Sequence, residues 1–246
     1  MEPILQVNHL SKTHILSDIS LQLAPGEMLG IMGPSGSGKS TLLYNIAGLD
    51  QPSEGEVWLN NTDVVRLNED QKASLRLHDM GFVFQQMNMM ANLNLLDNIM
   101  APAKWAASKK SGPSKAELEN KAKSLMQKLS IGGLENRSIT EVSGGQLQRA
   151  CICRSLINDP KILFADEPTG ALNQSAAKEV MTELSKLHQE GTTILLVTHD
   201  SKVASQCDRI LYLLDGQIQG ELGLQDLLDP KEREEKANAW LRSMGW

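Results

Sequence analysis

A glycine-rich segment near the N-terminus carries the clearest chemical signal in this sequence. Residues 33–40 are GPSGSGKS, which fits the pattern G-x-x-x-x-G-K-[ST] in full. Glycines allow successive backbone N–H groups to surround a phosphate chain, and the helix that follows presents its positive end to the same anion. We expect Lys39 to reach the β- and γ-phosphates of a nucleotide and Ser40 to offer its hydroxyl to Mg²⁺. The alternative, a glycine-rich turn without a ligand, is disfavoured by the buried strand before it and the amphipathic helix after it.

A pair of carboxylates follows an apolar segment later in the chain. Residues 162–165 are apolar and lead directly into Asp166 and Glu167. In P-loop enzymes an aspartate at such a strand end orders the Mg²⁺ shell. The next carboxylate, Glu167, would then be placed to polarise an attacking water. An acidic strand end by itself is more often a simple turn, so this hypothesis depends on the phosphate loop.

The segment Ser143-Gly144-Gly145-Gln146 has two interpretations. As S-x-x-Q it matches a capping box that opens a helix. It also matches a second phosphate-binding helix N-terminus, with the serine and the two glycine amides directed at an anion. The two are compatible, because a well-formed helix start is what creates an anion site, and local sequence does not identify the phosphate.

Short apolar segments separated by turns must position these motifs. Period-two and continuous apolar patterns predict strands, and period-3.6 patterns predict helices. The predicted strands are 4–7, 19–23, 28–32, a segment containing Val57 and Leu59, 161–165, 192–197, and a hairpin over 210–218. The predicted helices include one with Leu42, Leu43, Ile46 and Ala47 that ends at Gly48, one at 174–189, and one at 231–246.

The region from about residue 86 to 157 has a helical pattern instead. Ser114 and Glu117 form a capping-box pattern ahead of a helix, and residues 109–113 predict an exposed loop. The α/β pattern is therefore interrupted in sequence by a helical block.

Composition excludes several other classes of protein. The chain has 246 residues, a formal charge of −6 and a pI near 5.4. It lacks the basic footprint that a nucleic-acid partner requires. We also expect no signal peptide and no membrane span, since no apolar run approaches about 18 residues. Three cysteines without an export signal predict reduced thiols in a cytosolic protein.

The order of the motifs resembles the nucleotide-binding subunit of ABC transporters. After the phosphate loop come GFVFQQ at 81–86, VSGGQ at 142–146, FADEPT at 164–169 and VTHD at 197–200. The resemblance extends from Leu5 to about Ile218. The residues within the motifs resemble those of the subgroup that serves lipoprotein release, macrolide export and bacitracin-type peptide resistance.

This resemblance implies an α/β fold: a P-loop NTPase (ABC ATPase) core with an antiparallel β subdomain and an inserted α-helical subdomain. The implied divisions are the core and β subdomain at 1–85 and 158–222, the helical subdomain at 86–157, and a C-terminal helical extension at 223–246.

The resemblance also assigns roles to individual residues. Asp166 would order Mg²⁺ together with Ser40 and Gln85, Glu167 would be the general base, and His199 would contact the γ-phosphate. Gln85 would also report the nucleotide state to the helical block. Ser143, Gly144, Gly145 and Gln146 would contact the nucleotide held by a second copy. The residues expected to cradle ATP are Gly33, Pro34, Ser35, Gly36, Ser37, Gly38, Lys39, Ser40 and Thr41.

Two positions depart from the family pattern. The aromatic residue that usually stacks on adenine is replaced by His14, which is the expected base contact here. The loop known as the D-loop usually ends in Leu-Asp, whereas here Leu172 is followed by Asn173. Asparagine keeps the hydrogen-bonding capacity but loses the charge.

By the same resemblance, the implied function is ATP binding and hydrolysis that powers a membrane permease through head-to-tail dimerisation. The partners would be a second copy and an integral-membrane permease, at the cytoplasmic face of a bacterial membrane. The alternative is the ATPase of a peptide-sensing or resistance complex that signals or releases its bound target instead of translocating cargo. A sensor histidine kinase would then be a further partner. A DNA-repair ATPase would need a coiled-coil or zinc insertion and a basic surface, and a translation factor would need two cassettes.

Three other features have plainer interpretations. Cys151 and Cys153 point about 200° apart on a helix, so core packing is favoured over metal binding. The methionines after Gln85 are either core residues or a flexible apolar surface for a partner helix; they are Met87, Met89 and Met90. The C-terminal amphipathic segment, with Ala237, Trp240, Leu241 and Met244 on one side, is expected to dock on its own domain rather than on a membrane.

Overall fold

Ten strands and eight helices lie within residues 2–107 and 112–246, which are the residues that this computed structural model describes. The strands are β1 Leu5–Lys12, β2 Leu16–Leu23, β3 Met28–Met32, β4 Glu54–Leu59, β5 Thr62–Asp63, β6 Met80–Phe84, β7 Ile162–Asp166, β8 Ile194–Val197, β9 Arg209–Leu214 and β10 Gln217–Gly223. The helices are α1 Lys39–Ile46, α2 Glu69–Asp79, α3 Leu95–Ala107, α4 Lys115–Lys128, α5 Gly144–Leu156, α6 Gln174–Gln189, α7 Ser201–Ala204 and α8 Pro230–Ser243. Most of the predicted loop 109–113 lies outside the described residues.

These elements form two units. The first comprises Met1–Lys72, Phe164–Glu167 and Leu187–Trp246, and the second comprises Ala73–Leu163 and Pro168–Lys186.

The first unit contains a mixed sheet with the strand order β10-β9-β3-β8-β7. Strand β3 is parallel to both β8 and β9, and β10 is antiparallel to β9. Strands β3 and β8 are buried along their whole length, as parallel strands covered on both faces must be. The predicted hairpin is present, and its turn residues Asp215 and Gly216 have φ of 48° and 73°, which a two-residue turn of type I′ requires.

A second, antiparallel sheet in the first unit has the order β2-β1-β4-β5. The predicted strand 4–7 is too short, because β1 continues to Lys12. The pairing with β2 shifts register between Val7 and Leu10, where His9 has φ 49°. Such a bulge hides the alternating pattern from sequence analysis while the strand continues.

Helix α8 completes the first unit by packing on the mixed sheet. Ala237 and Leu241 are buried in a cluster with Tyr212, and the ring of Trp240 meets Tyr212 edge-on at 6.4 Å. The predicted docking of this helix on its own domain is therefore confirmed. Among the described residues, no helix combines the length and apolar character needed to cross a membrane.

The second unit is largely helical. Helix α3 packs against α4 and α5, and α5 also packs against β6. The predicted capping box at the start of α4 is confirmed: Ser114 Oγ accepts from the Glu117 amide, and Glu117 accepts from the Ser114 amide. The helical pattern was expected from about residue 86, but the first helix of the region begins only at Leu95.

Helix α2 is not predicted by periodicity. Its sequence is mostly polar, and Lys72 is its buried residue. A helix that buries a lysine stem instead of an apolar stripe gives no hydrophobic signal.

Candidate active site

The phosphate loop connects β3 to α1 in the first unit. A Cβ on Gly33 would lie 2.0 Å from the carbonyl oxygen of Leu213, so only glycine fits there. Gly38 is the N-cap of α1 with φ 99°, a conformation that L side chains rarely adopt. These two positions explain why the motif demands glycine, since one is crowded by backbone and the other turns the chain into the helix.

The ammonium group of Lys39 lies inside this loop. Its Nζ donates to the carbonyl oxygens of Gly33 and Pro34, at 2.8 Å each, and the residue is 8% exposed. Burial lowers the pKa of Lys39, and the nearby carboxylates of Glu167 and Asp166 oppose that shift. The loop therefore holds a cation whose hydrogen bonds to carbonyl oxygens can be exchanged for stronger ones to phosphate.

Asp166, at the end of β7, accepts two hydrogen bonds from helix α1. Ser40 Oγ donates to Oδ1 at 2.9 Å, and Tyr44 Oη donates to Oδ2 at 2.8 Å. Burial, followed by the hydrogen bond to Asp166, raises the pKa of Tyr44 to about 12. The first unit thus brings together Ser40 and Asp166, the two oxygen donors that sequence analysis assigned to Mg²⁺.

Glu167 and His199 meet at the ends of β7 and β8. His199 Nδ1 lies 2.8 Å from Glu167 Oε1, and the Glu167 amide donates to the carbonyl of Val197 at 2.9 Å. A carboxylate only accepts, so the shared hydrogen belongs to Nδ1 and leaves Nε2 for another partner. Glu167 has φ 48°, a strained conformation for a residue other than glycine.

The turn that carries His14 packs beside the phosphate loop. His14 is exposed and has φ 65°. A Cβ on Gly38 would meet Leu16 at 2.8 Å and Ile15 at 3.4 Å, so the residues after His14 are the ones that touch the loop. The contact of His14 with a base stays a prediction.

The second unit contains the Ser143 corner, which is formed by Ser143, Gly144 and Gly145 at the start of α5. Ser143 Oγ accepts from the Gln146 amide at 3.3 Å, and Gln146 Oε1 accepts from the Ser143 amide at 2.9 Å, which confirms the capping box. Gly144 and Gly145 supply the first amides of the helix, which have no intrahelical acceptor. A Cβ on Gly145 would lie 2.9 Å from the Cβ of Ala176, so α6 leaves room only for glycine.

Asn173, the departure in the D-loop, caps helix α6. Its Oδ1 accepts from the Ala176 amide at 2.9 Å, and its carbonyl accepts from the Ala177 amide. Asparagine and aspartate are about equally good at this position, so loss of the charge does not disturb the start of the helix.

Gln85 follows β6 and is exposed. Its Nε2 would lie 2.8 Å from a Cβ on Gly170, so the two segments that carry Gln85 and Gly170 are in close contact within the second unit. The segment after Gln85 is held by α5, since Arg154 donates to the carbonyls of Met87 and Asn88. Arg154 is a residue that the sequence analysis did not single out.

The remaining candidates are the two cysteines of α5 and the methionines after Gln85. Cys151 and Cys153 are buried, and burial raises the pKa of Cys151 to about 11, so the prediction of core packing is confirmed. None of the methionines after Gln85 is fully buried: Met87 and Met89 are half-buried and Met90 is 43% exposed. This intermediate burial leaves both interpretations, core residues and an apolar surface for a partner helix, as predictions.

The strand–loop–helix phosphate site and the acidic strand end define a P-loop ATPase core. The family described as ABC transporter matches residues 16–170, which is more than half of the chain. The chain therefore belongs to the ABC transporter family.

Curated relatives include two proteins named macrolide export ATP-binding/permease protein MacB. The one from Bdellovibrio bacteriovorus is 40% identical over 235 residues, covering 94% of this chain and 35% of that protein. The one from Shewanella oneidensis is 41% identical over 204 residues, covering 83% and 30%. The chain thus spans about a third of the length of these relatives.

Solved structures show the same fold over nearly the whole chain. A post-hydrolysis dimer of the ATP-binding cassette MJ0796, bound to ADP and Pi, is 37% identical with a TM-score of 0.81, covering 89% of this chain and 98% of that one. The protein cbiO1 from Clostridium perfringens, part of the transporter complex cbiONQ, is 27% identical with a TM-score of 0.82, covering 100% and 98%. This chain is accordingly an ATP-binding and ATP-hydrolysing cassette.

Proposed function

We propose that this cassette powers a membrane permease by closing around ATP as a head-to-tail pair of copies. Each nucleotide would lie between the phosphate loop of one copy and the Ser143 corner of the other. Hydrolysis would replace the bridging triphosphate by diphosphate and phosphate, which allows the pair to separate. The dimeric MJ0796 cassette supports this arrangement.

The observation that carries the proposal is the contact between the end of β7 and the groups around it. The hydrogen bonds of Asp166 with Ser40 and of Glu167 with His199 assemble an acidic edge whose two carboxylates act electrostatically on Lys39. A phosphate cradle, an acidic pair and an imidazole are the groups that phosphoryl transfer to water requires.

The residues present also fit Mg²⁺. Ser40 Oγ and the Asp166 carboxylate lie 2.9 Å apart, and both are hard oxygen donors. Among the described residues there is no group of three or more His, Cys, Asp and Glu that could hold a metal alone. Mg²⁺ characteristically takes one or two protein ligands and completes its shell with water and substrate phosphates. When bound, it would neutralise charge on the β- and γ-phosphates.

The chain's own residues would act as follows. Lys39 exchanges its hydrogen bonds with Gly33 and Pro34 for phosphate oxygens. The oxygen of the attacking water bonds to the γ-phosphorus, and Glu167 accepts a proton from that water. At the same time the bond between the γ-phosphorus and the bridging oxygen of ADP breaks. His199 donates through Nδ1 to one carboxylate oxygen of Glu167. Only its imidazolium form, with hydrogen on both ring nitrogens, could also donate from Nε2 to a phosphate oxygen. By the family resemblance, Gln85 would help to order Mg²⁺, and the Ser143 corner would contact the nucleotide held by the other copy.

The permease partner is proposed from the relatives' names. Those proteins are named as macrolide export proteins with both an ATP-binding and a permease function. We infer an association with such a permease at the cytoplasmic face of a membrane, with a macrolide as cargo. Signalling through a histidine kinase stays a prediction, and copurification from membranes would distinguish it. The division into 1–85 with 158–222, 86–157 and 223–246 also stays a proposal.

A size-exclusion measurement with ATP tests the pairing. The Glu167→Gln variant should bind ATP, hydrolyse it only slowly and elute as a dimer only when ATP and Mg²⁺ are present. A monomeric elution under saturating ATP would contradict the proposed function.

A further inference from the structure

Helix α1 holds the Asp166 carboxylate with two hydroxyl groups. Ser40 Oγ donates to Oδ1 and Tyr44 Oη donates to Oδ2, at 2.9 and 2.8 Å. The two donors are four residues apart, so they lie on the same face of the helix. Asp166 is 6% exposed, and its outer oxygen depends on the tyrosine because little water reaches it.

Tyr44 is itself fixed at the end of α1. Its backbone carbonyl accepts from the amides of Leu49 and Asp50, at 2.9 and 3.1 Å. The residues on either side of it, Leu43 and Asn45, are buried. A half-buried phenol with only two side-chain torsions, anchored in this way, is a rigid donor.

We propose that Tyr44 is a positioning residue for ATP hydrolysis, whose hydroxyl fixes the orientation of the Asp166 carboxylate so that Asp166 and Ser40 are preorganised for Mg²⁺. This proposal rests on the proposed function, in which those two residues hold the metal. Tyr44 acts through Asp166 and does not touch the nucleotide. Without the hydroxyl, the carboxylate can rotate away from Ser40 and must be reordered when the metal binds.

The test compares Tyr44→Phe with Tyr212→Phe, which removes the hydroxyl of the other of the chain's two tyrosines. Tyr212 is 2% exposed and packs among Trp240 and Trp246 in the first unit. Both variants are made in protein that also carries Glu167→Gln, which slows hydrolysis, and Ser143→Arg, which prevents the ATP-dependent dimer. ATP affinity is measured by calorimetry with and without Mg²⁺. Tyr44→Phe should reduce the gain in affinity that Mg²⁺ provides about tenfold and leave the metal-free affinity unchanged. Tyr212→Phe should leave both unchanged.

A second readout needs no substitution that could impair folding at Asp166. Protein that carries Glu167→Gln and Ser143→Arg, labelled with 3-fluorotyrosine, should give two fluorine resonances, of which Tyr212→Phe removes one. Adding Mg²⁺ at fixed ATP should shift the Tyr44 resonance and leave the Tyr212 resonance in place.

The outcomes are distinct. Two results would overturn the positioning role even if thermal stability falls. One is a Tyr44→Phe variant in which Mg²⁺ increases ATP affinity as much as it does with native Tyr44. The other is a Tyr44 resonance that does not shift when Mg²⁺ is added. If protein with native Tyr44 binds ATP equally with and without Mg²⁺, the proposed metal site fails, and the role of Tyr44 fails with it.

Discussion

His199 Nδ1 lies 2.8 Å from Glu167 Oε1, although the two residues are 32 positions apart in sequence. The contact exists because β7 and β8 are neighbours in the sheet and end side by side, with the Glu167 amide bonded to the carbonyl of Val197. It places an imidazole directly on the carboxylate proposed as general base, and so fixes which oxygen of Glu167 is held and which can accept a proton.

Glu167→Gln should slow ATP hydrolysis by about 10²–10⁴-fold, because an amide cannot accept the proton from water. ATP binding should be retained, since Lys39 and the phosphate loop are untouched. Phosphate release and equilibrium ATP binding measure the two effects separately. A rate within a few-fold of the unmodified chain would remove Glu167 from the mechanism.

Lys39→Ala should weaken ATP binding about a hundredfold, because hydrogen bonds to charged groups contribute about 1.5–3 kcal/mol each. Calorimetry measures the change. Lys72→Ala is the matched control: Lys72 is also a buried lysine, 5% exposed, but it pairs with Gln51 and Glu69. Normal ATP affinity in Lys39→Ala would contradict the phosphate-loop assignment.

Ser143→Arg should leave ATP binding by the monomer intact and prevent the ATP-dependent dimer, because a long cation would occupy the corner meant for phosphate. Ser114→Arg is the control, since Ser114 also caps a helix through a capping box. Both variants lose a cap, at about 1 kcal/mol of stability. A dimer in Ser143→Arg under conditions where the unmodified chain dimerises would refute the shared site.

Several features of the fold and of the candidate site follow from the local sequence. The phosphate loop, the turn at Asp215 and Gly216, and the caps at Ser114 and Ser143 were predicted because each depends on neighbouring residues. The contact of Tyr44 with Asp166 was not predicted, because its partners are 122 positions apart and only the position of Tyr44 one turn after Ser40 hints at it.

The bulged strand β1 and the polar helix α2 were missed for a different reason. Sequence analysis detects hydrophobic periodicity, and these elements interrupt it or lack it. Composition also leaves the burial of the methionines after Gln85 undecided, because it does not distinguish an apolar surface from a core.

The ion pair of His188 with Asp208 should make stability depend on pH. Nε2 of His188 lies 2.8 Å from Oδ2 of Asp208. The hydrogen bond to Asp208 raises the pKa of His188 above 6.5 despite burial. Burial raises the pKa of Asp208, but the hydrogen bonds from His188 and the Met28 amide outweigh it and hold the pKa below 3.8.

A raised histidine pKa stabilises the fold below pH 6.5 and loses that effect as pH rises through the folded value; a lowered aspartate pKa stabilises above pH 3.8 and loses its effect as pH falls. The pair is therefore strongest between these values. His188→Gln should lower stability by about 1 kcal/mol at pH 5.5 and by less at pH 9. Thermal unfolding at both pH values measures this, with His78→Gln as the control. An equal loss at both would exclude the ion pair as the cause.

Buried thiols should be unreactive in the folded chain. Cys151, Cys153 and Cys207 are all buried, and burial raises the pKa of Cys207 to about 12, so little thiolate forms at neutral pH. A thiol reagent such as Ellman's reagent should label all three only after unfolding. Fast labelling of the native chain would contradict the packing described.

Mixing two inactive variants tests the shared nucleotide site most directly. Lys39→Ala lacks a working phosphate loop and Ser143→Arg lacks a working corner, so each should be inactive alone. A mixed pair has one complete site, formed by the loop of the Ser143→Arg copy and the corner of the Lys39→Ala copy. The mixture should hydrolyse ATP well above the sum of its separate components. A mixture no more active than that sum would contradict the shared nucleotide site.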